Sequence, residues 1–113
     1  MFIFSQSTTY TWPVTVEFPS NGGKTDRQTF DAEFKRMTQT RINEIRERIE
    51  KQDITDTELA REVLVGWEGV NDSSGGSVPF SERARDMLLD VPLVASAVVL
   101  SWLGSLTGIK RKN

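Results

Sequence analysis

The sequence of 113 residues contains no cysteine and no histidine. The absence of cysteine excludes disulfides and thiol nucleophiles, and the absence of both residue types excludes the usual tetrahedral zinc site. Histidine is also the side chain that ordinarily titrates near neutral pH, so the most common general base of enzymes is missing. We therefore expect a protein that acts by binding and not by catalysis, with no metal and no cofactor.

Neither sign of charge dominates, because 14 Lys and Arg residues face 16 Asp and Glu residues. This balance provides no basic field that would attract nucleic acid or an anionic membrane. A chain of this length predicts a single domain, 1–113, with one modest core. A signal peptide does not fit residues 1–9, because the apolar start has no basic region before it and is soon interrupted by polar residues. We expect the protein to stay in the cytoplasm in which it is made.

Alternation of apolar and polar residues predicts a β-hairpin over residues 12–34, with a turn at residues 19–23. Pro13 cannot donate a ladder hydrogen bond, so the first strand either begins there or lies at an edge of the sheet. One face of the hairpin is expected to be buried. Its apolar positions are Trp12, Val14, Val16 and Phe18 in the first strand and Phe30, Ala32 and Phe34 in the second.

The period becomes helical between residues 36 and 65. Isoleucines at positions 42, 45 and 49 predict an amphipathic helix, whose charged face is either a docking surface or, more simply, a solvated face with salt bridges. Thr55 and Glu58 form a capping-box pattern, which predicts that a second helix begins near Asp56. Gly66 is suited to end that helix.

Residues 71–77 contain only turn-forming and flexible residue types and predict an exposed, flexible loop. The loop loosely resembles a calcium-binding loop, but the spaced acidic ligands are missing. Helices follow over residues 81–106, with Ser81 at the start of the first and Pro92 in the first turn of the last. The side chains of the first helix that we expect to point inward are Ala84, Met87 and Leu88.

The last helix is the most apolar segment of the chain, but it is shorter than the roughly 20 apolar residues of a membrane span. Its apolar side chains cover much of its circumference. Either the surplus face contacts a second copy or a client protein, or the hairpin covers one side and the shorter helices cover the other. The basic residues 110–112 suit the C-terminal end of the helix dipole. The candidate protein-binding residues, which are also natural core residues, are Trp67, Phe80, Val94, Val98 and Trp102.

Several short motifs follow one another in a fixed order in the second half of the chain. A Gly-Trp-x-Gly-Val segment precedes the polar loop, a Pro-Phe-Ser segment starts a helix, and a Leu-Leu-Asp-x-Pro junction opens the last helix. The positions concerned are Gly66, Trp67, Gly69, Val70, Pro79, Phe80, Ser81, Leu88, Leu89, Asp90 and Pro92. This series resembles the C-terminal half of the small tail assembly chaperones of long-tailed, siphovirus-type bacteriophages. Residues 30–36 resemble the same family more loosely, as a strand that ends in a basic turn.

The resemblance implies a protein that binds the tape measure protein, keeps it soluble and helps the tail tube protein to assemble around it. Such a protein acts in the host bacterial cytoplasm and is not expected in the mature virion; self-association into a homo-oligomer is compatible with it. One alternative is a structural virion component, such as a tail tube, completion or connector protein. Another is an enzyme or small-molecule binder with a site around Trp67, which the missing histidine and cysteine disfavour. The expected fold is α+β, with an N-terminal β-hairpin or small antiparallel sheet packed against about four C-terminal helices.

Overall fold

The computed structural model describes residues 1–107, and the basic residues 110–112 lie outside the described residues. The fold is α+β, as predicted: a three-stranded antiparallel sheet with the order β1-β2-β3 packs against four helices. Along the chain the elements are β1 (Thr9–Pro19), β2 (Thr25–Lys35), α1 (Gln39–Glu50), α2 (Asp56–Val63), β3 (Leu64–Glu68), α3 (Glu82–Leu89) and α4 (Val94–Thr107).

The predicted hairpin is present and is longer than the sequence pattern indicated. β1 and β2 are paired antiparallel from Thr9↔Lys35 to Pro19↔Thr25. A short 3-10 turn connects the strands, and its two glycines have φ angles of 72° and 77°, which residues with a side chain rarely adopt. β1 lies at an edge of the sheet. Its edge position explains why Pro13, which lacks an N–H donor, is tolerated within the strand.

A third strand replaces the predicted end of the second helix. α2 ends at Val63, and Leu64 already has the extended backbone angles φ −90° and ψ 108°. β3 then pairs with β2, with Trp67 opposite Ala32. The prediction that helix extends through residue 65 and ends at Gly66 is therefore wrong. The open edge of β2 provides hydrogen-bonding partners for this segment, and Gly66 allows the Glu33 side chain to lie across the strand where a Cβ atom would collide with it.

Side-chain caps begin the first two helices, and the cap of the second is the one that the sequence predicts. Thr38 caps α1 by accepting a hydrogen bond from the Arg41 amide. The capping box at α2 is also present: the Glu58 amide donates to Thr55 Oγ1, and the Thr55 amide donates to Glu58 Oε1, both at 3.1 Å. These bonds satisfy amides that the first turn of a helix cannot pair internally. The start of α2 at Asp56 is thus confirmed.

Two details of the C-terminal helices differ from the prediction. Met87 points outward and is 64% exposed, whereas Leu89 is buried. The buried arc of α3 centres between Leu88 and Leu89, and Met87 lies outside that arc at the 100° rotation per residue of a helix. Pro92 lies in the turn before α4 and not in its first turn, because Leu93 has a left-handed φ of 76° that separates Pro92 from the helix.

The core lies between the sheet and the helices, with α4 packed against β1 on one side and against α2 on the other. The hairpin and the shorter helices therefore cover two sides of the apolar last helix, as in the second alternative, but Leu100 on a third side remains 61% exposed. The largest side chains that are fully buried are Trp102, Phe34, Ile45, Leu59, Leu64, Val14, Val63, Val94 and Val98.

Candidate protein-binding surfaces

Three of the five predicted contact residues form the buried stripe of α4. Val94, Val98 and Trp102 are each no more than 1% exposed. Their spacing of four residues places them on one side of the helix, where they meet the sheet and α2. These side chains pack in the core of the folded chain and stabilise it. That they contact a partner stays a prediction.

The other two predicted residues attach the loop to the sheet. Trp67 is 8% exposed, and its indole N–H donates a 2.8 Å hydrogen bond to the Val78 carbonyl. Its ring meets Phe30 and Phe80 edge-to-face, at centroid distances of 6.4 and 4.9 Å. Phe80 is half-buried and packs on the core. The resemblance motif around these residues therefore describes how the loop is held and not a partner contact.

The loop over residues 71–77 is exposed, as predicted, and contains several internal hydrogen bonds. The Asp72 carboxylate accepts hydrogen bonds from the amides of Ser74 and Gly76, at 3.0 and 2.9 Å, and from the Ser74 hydroxyl. These donors stabilise the charged carboxylate and lower its pKa, with the Gly76 amide as the largest cause. Asp72 acts as an internal cap of the turn.

No group of three or more Asp and Glu side chains within residues 1–107 is arranged to hold a metal ion. A cavity of about 130 Å³ lies beside the loop. Its apolar walls are formed mainly by Val16, Phe18, Phe30, Val70, Leu88 and Val94.

An exposed apolar ridge lies on the outer side of α4. Leu93 and Leu100 are 49% and 61% exposed, and Ser96 and Ala97 lie between them along one groove. We call Leu93 and Leu100 the α4 ridge. Leu93 directly precedes α4 and Leu100 lies within it, and both line the same groove. Sequence reasoning missed both residues.

Shallow grooves border the α4 ridge on both sides. The groove towards β1 has about 210 Å³ and reaches Val16 and Glu17. The groove towards the junction of α1 and α2 has about 350 Å³ and is mostly apolar. Its lining residues are Ile49, Ile54, Thr55, Asp56, Leu59, Ser96, Val99, Leu100 and Leu103. An apolar ridge between two open grooves offers a surface on which an elongated apolar partner can pack.

The backbone at one end of the ridge is in an unusual conformation. Leu93 has a φ of 76°, a region that residues with a Cβ atom rarely occupy. Such conformations persist only where the surrounding structure imposes them, and they occur preferentially at functional sites. Here the strained residue also presents a large, half-exposed apolar side chain. Both properties mark Leu93 as a candidate contact residue.

Within residues 1–107, no single helix is long and apolar enough to cross a membrane; only α3 and α4 taken together reach that length and composition, and they are bent by 104° relative to each other. Comparison of the chain with protein-family models, with curated proteins and with solved structures gives no match.

Proposed function

We propose that this protein is a phage tail assembly chaperone. In this proposal it binds the tape measure protein in the host bacterial cytoplasm, keeps it soluble and aids assembly of the tail tube protein around it, and it is absent from the mature virion. Two independent features support the proposal. The first is the series of motifs between Gly66 and Pro92 that resembles this family, and the second is the α4 ridge.

The α4 ridge is the observation on which the proposal chiefly depends. A client that is long and largely helical presents apolar side chains at intervals of three and four residues. Such a helix can place one row of side chains in each groove and straddle Leu93 and Leu100. This is the helix-in-groove mode of recognition, in which a few apolar anchors provide most of the affinity.

Exposed ion pairs lie in and just after α1, the helix that also contributes Ile49 to the larger groove. Arg48 pairs with Asp53 at 3.0 Å, and Lys51 pairs with Glu47 at 2.8 Å, all with exposed side chains. Exposed pairs of this kind contribute little to stability, but they keep the surface around an apolar site hydrated. A complex that buries the apolar stripe of the client and leaves these charges outside would remain soluble. Binding alone accounts for this activity, without any catalytic group.

Co-expression with the tape measure protein tests the proposal. The expected client is a long, helix-rich product, and the measurement is the fraction of it that stays soluble and co-purifies with this chain. Burial of a leucine side chain is worth about 1.5–3 kcal/mol, and each 1.4 kcal/mol is tenfold in affinity. Because Leu93 and Leu100 are 49% and 61% exposed, only about that share of each burial is gained on binding, and the double variant Leu93→Ser/Leu100→Ser should weaken binding by roughly 15- to 200-fold.

A matched control is available on α3. Met87 is as exposed as Leu100, at 64% against 61%, and does not line either groove. Met87→Ser should leave recovery of the client unchanged. If the client remains insoluble with the wild-type chain, or if Met87→Ser and the double variant reduce recovery equally, the α4 ridge is not the binding surface.

A structural virion component is the second candidate, and one observation favours it. The four apolar residues at positions 1–4 precede the edge strand β1 and are all exposed, as in arms that join subunits of an assembly. Mass spectrometry of purified virions separates the two functions. A chaperone should be absent or far below one copy per particle, whereas a structural component should be present in a fixed ratio to the tail tube protein.

A further inference from the structure

The N-terminal segment is an exposed apolar arm. The side chains of Met1, Phe2 and Phe4 are almost fully exposed, at 115%, 92% and 96%, and Ile3 is 59% exposed. Hydrophobic side chains are rarely exposed in such an uninterrupted series unless they meet a partner. We call residues 1–4 the arm.

The base of the arm is fixed to the sheet. The Arg36 amide donates to the Thr8 carbonyl and the Arg36 side chain donates from Nε to the Ser7 carbonyl, both at 2.9 Å. The Arg36 guanidinium also lies 4.8 Å from the centre of the Tyr10 ring, within the range of a cation–π contact. The arm therefore leaves the domain from a defined point at the start of β1.

A cleft opens at the same end of the molecule. It has about 440 Å³ and lies between the ends of β1, β2, α1 and α4. Its walls combine aromatic and aliphatic side chains with polar ones, among them Lys35 and Arg36, and the Tyr10 hydroxyl is hydrogen-bonded to Ser105 Oγ at 2.7 Å. The lining residues are Tyr10, Thr11, Trp12, Lys35, Arg36, Met37, Ile42, Trp102, Ser105 and Leu106. We call this the β1 cleft.

We propose that the arm of one copy occupies the β1 cleft of a second copy, and that the exchange is reciprocal. The cleft begins at Tyr10, only six residues after Phe4 in the same chain, yet the arm side chains remain exposed and do not line it. The apolar segment and a cleft with aromatic and aliphatic side chains in its walls are therefore both present and both open in a single copy. A twofold dimer fills two clefts with two arms, because each surface patch of an isologous interface is used twice.

The area involved is sufficient for a stable dimer. An aromatic side chain buries about 150–250 Å², so the four phenylalanines of two arms account for on the order of 600–1,000 Å². With a similar area from the walls of the two clefts, the interface reaches roughly 1,200–2,000 Å², which is the standard size of a specific interface. This proposal does not depend on the chaperone function.

Sedimentation of the full chain tests the exchange. The wild-type protein should be a dimer at micromolar concentration, and Phe2→Ser/Phe4→Ser should be a monomer with an unchanged far-ultraviolet circular dichroism spectrum. A matched control is Leu100→Ser, which removes an exposed apolar side chain outside the cleft and should leave the dimer intact. Since Leu100→Ser is also expected to weaken client binding, failure of the chaperone function and failure of the dimer are distinguishable. A monomeric wild-type protein would overturn the proposal.

Cross-linking then shows whose cleft the arm enters. The chain has no cysteine, so any disulfide arises from introduced residues. A tagged Phe4→Cys copy mixed with an untagged Met37→Cys copy should form a covalent heterodimer on mild oxidation. The proposal is overturned if this mixture gives no cross-link although both thiols react with a maleimide, or if a Phe4→Cys/Met37→Cys chain closes on itself as a monomer at every dilution.

Discussion

The two sides of α4 are both apolar and differ in what covers them. Val94, Val98 and Trp102 are at most 1% exposed between β1 and α2, whereas Leu93 and Leu100, on the outer side, are 49% and 61% exposed. Burial of apolar surface stabilises the fold by about the same amount per unit of area on either side of α4. The difference is therefore set by the neighbouring elements, which approach only one side. The apolar composition of α4 therefore predicts a buried helix, but the tertiary arrangement decides which side of it stays exposed.

The largest expected change in stability comes from replacing one residue on each side of α4. Trp102→Ala removes a fully buried ring and should lower the free energy of unfolding by about 3–5 kcal/mol. Leu100→Ala should change it by less than about 0.5 kcal/mol, because the side chain is mostly in water and alanine is a good helix former. Urea denaturation followed by tryptophan fluorescence or circular dichroism measures both. Equal losses for the two variants would mean that the outer side is buried in the folded protein.

The elements that follow from local chemistry were predictable from the sequence. The hairpin was visible because apolar side chains alternate along β1 and β2, and the start of α2 was visible because Thr55 and Glu58 can cap it in any context. β3 was not visible. Its five residues follow α2 without a turn, and only the open edge of β2, which is remote in sequence, makes them extended.

The binding surface was only partly predictable, for a related reason. The sequence indicated that α4 has more apolar surface than one face of a core requires, but it could not indicate which residues would be covered. The candidates, among them Val98 and Trp102, are apolar residues of the kind that a core buries, so their sequence does not separate contact with a partner from burial in the core. The left-handed backbone at Leu93 was equally hidden, since nothing local requires a leucine to adopt it.

A smaller effect is expected from loosening α2, which forms one wall beside the α4 ridge. Thr55→Ala removes the hydroxyl that accepts from the Glu58 amide and should lower the free energy of unfolding by about 1 kcal/mol. Thr55→Ser keeps the hydroxyl and should remain within about 0.5 kcal/mol of the wild type. Thermal denaturation of the wild type, Thr55→Ala and Thr55→Ser ranks the stabilities of the three proteins. If alanine and serine destabilise equally, the cap is not what holds the first turn of α2.

The ion pair between α1 and α2 should make the stability of the same wall depend on pH. Arg41 contacts both carboxylate oxygens of Glu62, at 2.7 and 2.9 Å, and lowers the pKa of that group. A lowered pKa in the folded state contributes stability that is fully present above the unfolded value of about 4.3 and is lost as the pH falls through the folded value. Because Arg41 and Glu62 are 37% and 28% exposed, we expect at most about 1 kcal/mol.

The variant Glu62→Gln tests the pH dependence of the Arg41–Glu62 ion pair, and Glu44→Gln is its control. Glu44 touches the same arginine at 3.4 Å but is 59% exposed. The stability difference between wild type and Glu62→Gln should be constant from about pH 7 to pH 5 and should shrink as the pH falls below about 4. Glu44→Gln should show little change over that range. A difference for Glu62→Gln that does not change with pH would point to packing and not to charge.

The last effect concerns Leu93, at the strained end of the α4 ridge. Two substitutions there should weaken client binding equally but differ in the stability of the fold. At a left-handed φ of 76° a residue with a Cβ atom is disfavoured by about 1–2 kcal/mol, whereas glycine is not, although glycine is less favourable in the unfolded chain by about 0.4–1 kcal/mol. Leu93→Gly and Leu93→Ala both remove the exposed side chain and should weaken client binding alike, by roughly three- to tenfold. Only the alanine variant keeps the strain, so the glycine variant should be the more stable of the two, by up to about 1 kcal/mol. Equal stability of the two would show that the turn imposes no strain on Leu93, and the residue would then owe its place on the α4 ridge to its side chain alone.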